Sequence, residues 1–133
     1  MSGATGLIGS ALAQRLTEDG HEVVPFVRRA AGPGERVIAW DPARGIIDRK
    51  ALEGCEAVVN LAGESVFGRW TTGKKQRIRE SRVAGTRLVS EAIAGLERPP
   101  RVLLAASAVG YYGDRGSAEV SEQSPAGADF LAQ

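Results

Sequence analysis

The chain has 133 residues, enough for one domain with a real core. Seventeen Lys+Arg stand against sixteen Asp+Glu, a formal net charge of +1, and so even a balance argues against a dedicated nucleic-acid or membrane-surface protein. Cys55 is the only cysteine and His21 the only histidine. That excludes an internal disulfide and the usual zinc site, and makes a reducing, cytoplasmic setting the simpler expectation.

No charged segment leads into an apolar core at the start of the chain and no apolar stretch approaches bilayer length, so neither a secretory signal nor a spanning segment is expected. The first pattern is Gly3-Ala-Thr-Gly6-Leu-Ile-Gly9. Leu7, Ile8, Ala11, Leu12 and Leu16 then recur at helical spacing, with Gly20 as a stop. Only Met1 and Ser2 precede the glycines, too few for a strand. His21–Val27 reads as a strand with Pro25 marking a bend or an edge, closed by Arg28 and Arg29, and Ala30–Glu35 as a loop. Val37–Trp40 is a short strand ended by Asp41-Pro42. Ile47–Leu52 is a short helix leading to Gly54, and Ala57–Leu61 is a strand apolar on both faces.

A helix over roughly Gly73–Gly95 follows, with Val89, Ile93 and Leu96 on one face, stopped by Pro99-Pro100. Arg101–Ala106 is the next buried strand, Gly110–Pro125 a turn-rich loop, and Gly127–Gln133 the start of a helix. Strands alternating with helices predict an α/β fold with a doubly wound parallel sheet and right-handed crossovers.

The glycine run opening a helix is the pattern that cradles a pyrophosphate: the glycines permit a tight turn and close backbone approach, and the phosphate rests on the helix N-terminus. Gly3, Thr5, Gly6, Leu7, Ile8 and Gly9 are therefore candidate cofactor contacts; the plainer alternative is a tight turn with no ligand. Where an NAD site places an acidic residue for the ribose 2′-hydroxyl, this chain has Arg28 and Arg29. Guanidinium suits a 2′-phosphate, which favours NADP(H) over NAD(H), against a solvated pair at a strand end.

Asn60-Leu61-Ala62-Gly63 ends a buried strand at the edge where ligands bind in such sheets. Small residues there let a cofactor sugar lie on the backbone, or Asn60 simply caps the loop. Ser107 ends the next strand and either polarises a substrate oxygen or bonds to backbone. Tyr111 and Tyr112 could serve as proton donors if a cation lowered their pKa, though packing is the readier role. Between Arg69 and Arg87 lie seven basic residues and one acid, Glu80; this is a solvated helix face or a patch for phosphates. Trp70 is the run's only aromatic residue, which disfavours nucleic acid. Cys55 is expected to be buried rather than reactive.

Together, Ser2-Gly-Ala-Thr-Gly-Leu-Ile-Gly9, Asn60-Leu-Ala-Gly-Glu64, Gly68-Arg-Trp70, Ser81-Arg-Val-Ala-Gly-Thr-Arg87 and Ser107-Ala-Val-Gly-Tyr-Tyr-Gly113 resemble the extended short-chain dehydrogenase/reductase superfamily. More narrowly, they resemble its atypical, sugar-nucleotide epimerase-like (NAD-dependent epimerase/dehydratase-like) branch. The resemblance implies a Rossmann fold with NADP, or alternatively NAD, over the glycine turn. It implies Ser107 at the catalytic serine position and a small-molecule substrate bearing a hydroxyl or carbonyl, nucleotide sugars being one such class. It also implies a Tyr-x-x-x-Lys pair on the helix after Tyr112; Phe130 stands at the tyrosine's place, which leaves turnover open and a non-catalytic dinucleotide-binding module as the rival. Measured against that family, the first strand and the C-terminal part are expected to be missing, so that the chain is a fragment of a longer protein.

Overall fold

The computed structural model describes residues 1–133. The elements run α1 (Leu7–Glu18), β1 (Phe26–Val27), β2 (Ile38–Asp41), β3 (Ile46–Ile47), α2 (Arg49–Leu52), β4 (Ala57–Asn60), α3 (Thr72–Ala94) and β5 (Val102–Ala105), followed by a 3₁₀ turn at Val109–Tyr112.

β1 pairs parallel with β2 (Phe26 opposite Ile38), and β4 pairs parallel with β5 (Val58 opposite Leu103). Met1 and Ser2 join the two groups. The Phe26 amide donates to Met1 O at 2.9 Å, the Met1 amine donates to Val24 O at 2.6 Å, and the Ser2 amide donates to Val59 O at 2.9 Å. Ser2 forms a parallel bridge with Asn60. The spatial order is thus β3-β2-β1-(Met1-Ser2)-β4-β5, an α/β sheet with its parallel strands outward from a two-residue centre.

Three expectations need correction. The strand expected over His21–Val27 shrinks to Phe26–Val27, the two residues that pair with Ile38 and Ala39 of β2. Ile47 is a strand residue rather than a helical one: Gly45, at φ 66°, turns the chain back so that Ile46–Ile47 pairs antiparallel with Trp40–Asp41. The helix begins only after Asp48, whose carboxylate accepts the Ala51 amide as an N-cap. Gly127–Gln133 forms no helix; Asp129 caps a single turn, and one turn does not offset the cost of helix nucleation.

The core is Phe26, Ile38, Trp40, Leu52, Val58, Val89 and Ala92. Phe26 and Trp40 meet edge to face at 5.3 Å between ring centroids, and the Trp40 ring lies over Gly85, where a Cβ would be 3.7 Å away. α3 spans the predicted range almost unchanged and inserts Ile78, Val89 and Ala92 into the interior. Below Met1 a groove of about 460 Å³ separates His21–Phe26 from Glu53–Val59, with Leu16, Ile38 and Ala51 in its lining. No helix is long and apolar enough to cross a membrane.

Candidate functional site

Because β1, Ser2, β4 and β5 all run in one direction, their C-terminal ends share an edge. Four of the expected segments meet there: Gly3–Gly9 after Ser2, Arg28–Arg29 after β1, Asn60–Gly63 after β4, and Ser107 after β5. From Ser2 the chain leaves toward β1 on one side and later returns to β4 on the other. The sheet edge above Gly3 and Leu61, which pack against each other, is therefore the switch point where open α/β sheets bind ligands.

The glycines are there for close approach. Gly3 sits at φ 66°, and a Cβ on it would lie 2.9 Å from the Leu61 carbonyl carbon. On Gly9 a Cβ would lie 2.0 Å from Gly3 O, so α1 can start only this close to the turn if position 9 lacks a side chain. The Gly6 amide closes the turn onto Gly3 O at 3.0 Å. Gly6 is also the N-cap of α1 and offers no capping side chain, and no acid stands in the first turn. The Leu7 and Ile8 amides consequently find no acceptor within the protein, and both side chains are exposed.

Behind the turn lies a buried clamp that local pattern does not reveal. Ser2 Oγ donates to Asn60 Oδ1 at 2.6 Å and accepts the Leu61 and Ala62 amides, each at 3.1 Å. Asn60 Nδ2 donates to Thr86 Oγ1 at 3.1 Å. The Asn60 side chain is thus bonded at both ends to protein, and Ser2 and Thr86 join the site as unforeseen members. Only their presence in the family-like motifs hinted at them.

The two arginines differ. Arg29 forks onto the Glu35 carboxylate, whose second support is the Gly32 amide; the Arg29 hydrogen bond first, then that amide, hold the Glu35 carboxyl down at about 2. Arg28 is exposed and makes no ion pair. The basic run divides as well. Lys74 and Arg77 pair with Glu64 at 2.8 and 3.6 Å, and the Lys74 hydrogen bond chiefly keeps the Glu64 carboxyl below its usual range.

Ser107 is exposed. Tyr111 and Tyr112 stack edge to face at 5.2 Å on the 3₁₀ turn, with Tyr111 the more open of the two. Phe130 packs on Trp70 at 5.6 Å, and the Lys75 ammonium stands 5.4 Å from its ring centroid. Cys55 is half-buried in the groove below Met1.

A glycine turn wedged into the switch point of a parallel sheet defines the dinucleotide-binding, Rossmann-like class of α/β domain. Comparison with known proteins makes this specific: the model of the NAD dependent epimerase/dehydratase family matches residues 1–129, and the chain belongs to that family. It is 42% identical over 134 residues to Epimerase family protein Mb2239 of Mycobacterium bovis, covering 100% of this chain and 44% of that protein. It is 38% identical to the human Epimerase family protein SDR39U1, covering 98% of this chain and 43% of the relative. The chain spans less than half the length of the curated relatives it matches.

Among solved structures, human SDR39U1 with NADPH superposes with a TM-score of 0.80 at 36% identity, over 98% of this chain and 43% of that one. The nucleoside-diphosphate sugar epimerase of Corynebacterium glutamicum gives 0.79 at 39%, over 98% and 27%. MoeE5 in complex with UDP-glucose and NAD gives 0.70 at 29%, over 94% and 40%.

Proposed function

We propose that this chain is the nicotinamide-dinucleotide-binding part of an epimerase- or reductase-like protein of the reducing cytoplasm, with NADP(H) favoured over NAD(H). The observation that carries the reading is the glycine turn: three glycines packed so closely that a Cβ at Gly9 or Gly3 would strike backbone, below helix amides with no protein partner. That cradle fits a pyrophosphate. Gly3, Thr5, Gly6, Leu7, Ile8 and Gly9 would hold it, and Leu61, Ala62 and Gly63 would form the wall beside it. Asn60 would fix that wall through Ser2 and Thr86 rather than by direct contact. Arg28 is the guanidinium open to a 2′-phosphate, and Arg29 would have to leave Glu35 to join it. SDR39U1, solved with NADPH, supports the choice of phosphate-bearing cofactor.

When bound, the nicotinamide supplies hydride donor or acceptor chemistry. The substrate would be a small molecule with a hydroxyl or carbonyl, a nucleotide sugar being one such class. The Ser107 hydroxyl would hydrogen-bond that oxygen, and Tyr111 or Tyr112 would carry its proton. A second reading, a dinucleotide-binding module without turnover, is favoured by Phe130, which packs on Trp70 and Lys75 and has no proton to transfer.

Thermal melts of the chain with equal NADPH and NADH test the reading, since a ligand selective for the folded state raises the midpoint. A larger rise with NADPH is expected; no rise with either would overturn it. Ser107→Ala should keep that rise under both readings and abolish turnover only under the enzymatic one.

A further inference from the structure

The inward face of α3 changes character along its length. Ile78, Val89 and Ala92 are buried, whereas the polar residues interleaved on that face hold the chain leaving β4. Ser81 Oγ accepts the Glu64 amide at 2.9 Å and donates to Ile78 O at 3.0 Å. Arg82 Nη1 donates to Glu64 O at 3.0 Å and to Ile78 O at 3.2 Å. A Cβ on Gly63 would lie 3.1 Å from Arg82 Cζ and 3.3 Å from each Nη, near-equal distances that put the guanidinium plane flat against the Gly63 backbone. One residue earlier, the Ala62 amide ends on Ser2 Oγ, and a Cβ on Gly3 would lie 3.0 Å from Ala62 N. The segment Leu61–Glu64 is therefore held by the glycine turn on one side and by α3 on the other.

The geometry points to Arg82 as a positioning residue: its guanidinium plane, braced on Gly63 and two carbonyls, sets the path of Leu61–Glu64 and so the wall against which the glycine turn rests. This builds on the dinucleotide reading above. Arg82 pairs with carbonyls rather than a carboxylate, so its effect is one of shape and not of the weak attraction typical of exposed ion pairs. A lysine could reach one carbonyl but has no plane to lie on Gly63. A Cβ on Gly63 would press on the guanidinium at 3.1 Å, so glycine there gives the plane its closest seat.

The test uses the 133-residue chain with Arg82→Ala and Arg82→Lys. Residue-resolved amide exchange is measured without cofactor, alongside NADPH titration and the ligand-free melting midpoint. Arg82→Ala should speed exchange at Glu64 and its neighbours and weaken NADPH about tenfold, the scale of one lost hydrogen bond. The ligand-free midpoint should move by only about 2 °C, as for an exposed side chain. Arg82→Lys should not restore affinity, whereas a few millimolar methylguanidinium should partly rescue Arg82→Ala. Unchanged exchange at residues 62–65 overturns the proposal whatever NADPH does. Full rescue by lysine overturns it too, by showing that charge alone suffices. If the unmodified chain binds no dinucleotide, the functional reading fails, and the cofactor-free exchange still decides whether Arg82 sets the wall.

Discussion

Two regions of this domain are built to different standards. From Met1 to Ala92 the chain contains every buried residue of the protein, with the glycine turn backed by the Ser2–Asn60–Thr86 clamp and the core of β1, β2, β4 and α3. None of residues 93–133 is buried: Val102 and Leu104 of β5 are 42% and 54% exposed, and Ser107 and Tyr111 stand open beyond them. The half proposed to hold a cofactor has its geometry fixed by packing and bonded polar groups before any ligand arrives. The half proposed to act on a substrate has candidate side chains but little around them to hold their positions. Binding and chemistry are thus separable here.

The sharpest break in the comparison comes from paired truncations. Leu52→Ala, at a fully buried core leucine, should cost about 3 kcal/mol by urea unfolding. Leu104→Ala, in half-open β5, should cost roughly a third of that or less. Equal costs would mean that the second region is packed as tightly as the first.

The readable parts of the fold were those whose signal is local. The spacing that predicts a helix over Gly73–Gly95 and the apolar runs at 57–61 and 101–106 each depend on neighbours in sequence, and each survives as an element with small changes of boundary, although the run at 101–106, expected to be buried, is largely exposed. The same holds for the glycine run, whose required φ and close contacts are properties of one turn. What escaped was long-range. Ser2 and Asn60 are 58 residues apart and Asn60 and Thr86 are 26 apart, so no periodicity links them. Arg82 reads in sequence as one charge among seven because its partner is a carbonyl eighteen residues back. The β2–β3 hairpin is hidden in the sequence for a different reason: Gly45 is a turn residue, but Ile47 continues equally well into a helical pattern, and only the Asp48 cap decides where that helix begins.

The most direct measurement is residue-resolved amide exchange of this chain with and without saturating NADPH. The account predicts new protection at Thr5–Gly9 and Leu61–Glu64 and unchanged exchange from Ser107 to Gln133. Protection confined to residues 107–133, or none at the glycine turn, would contradict it.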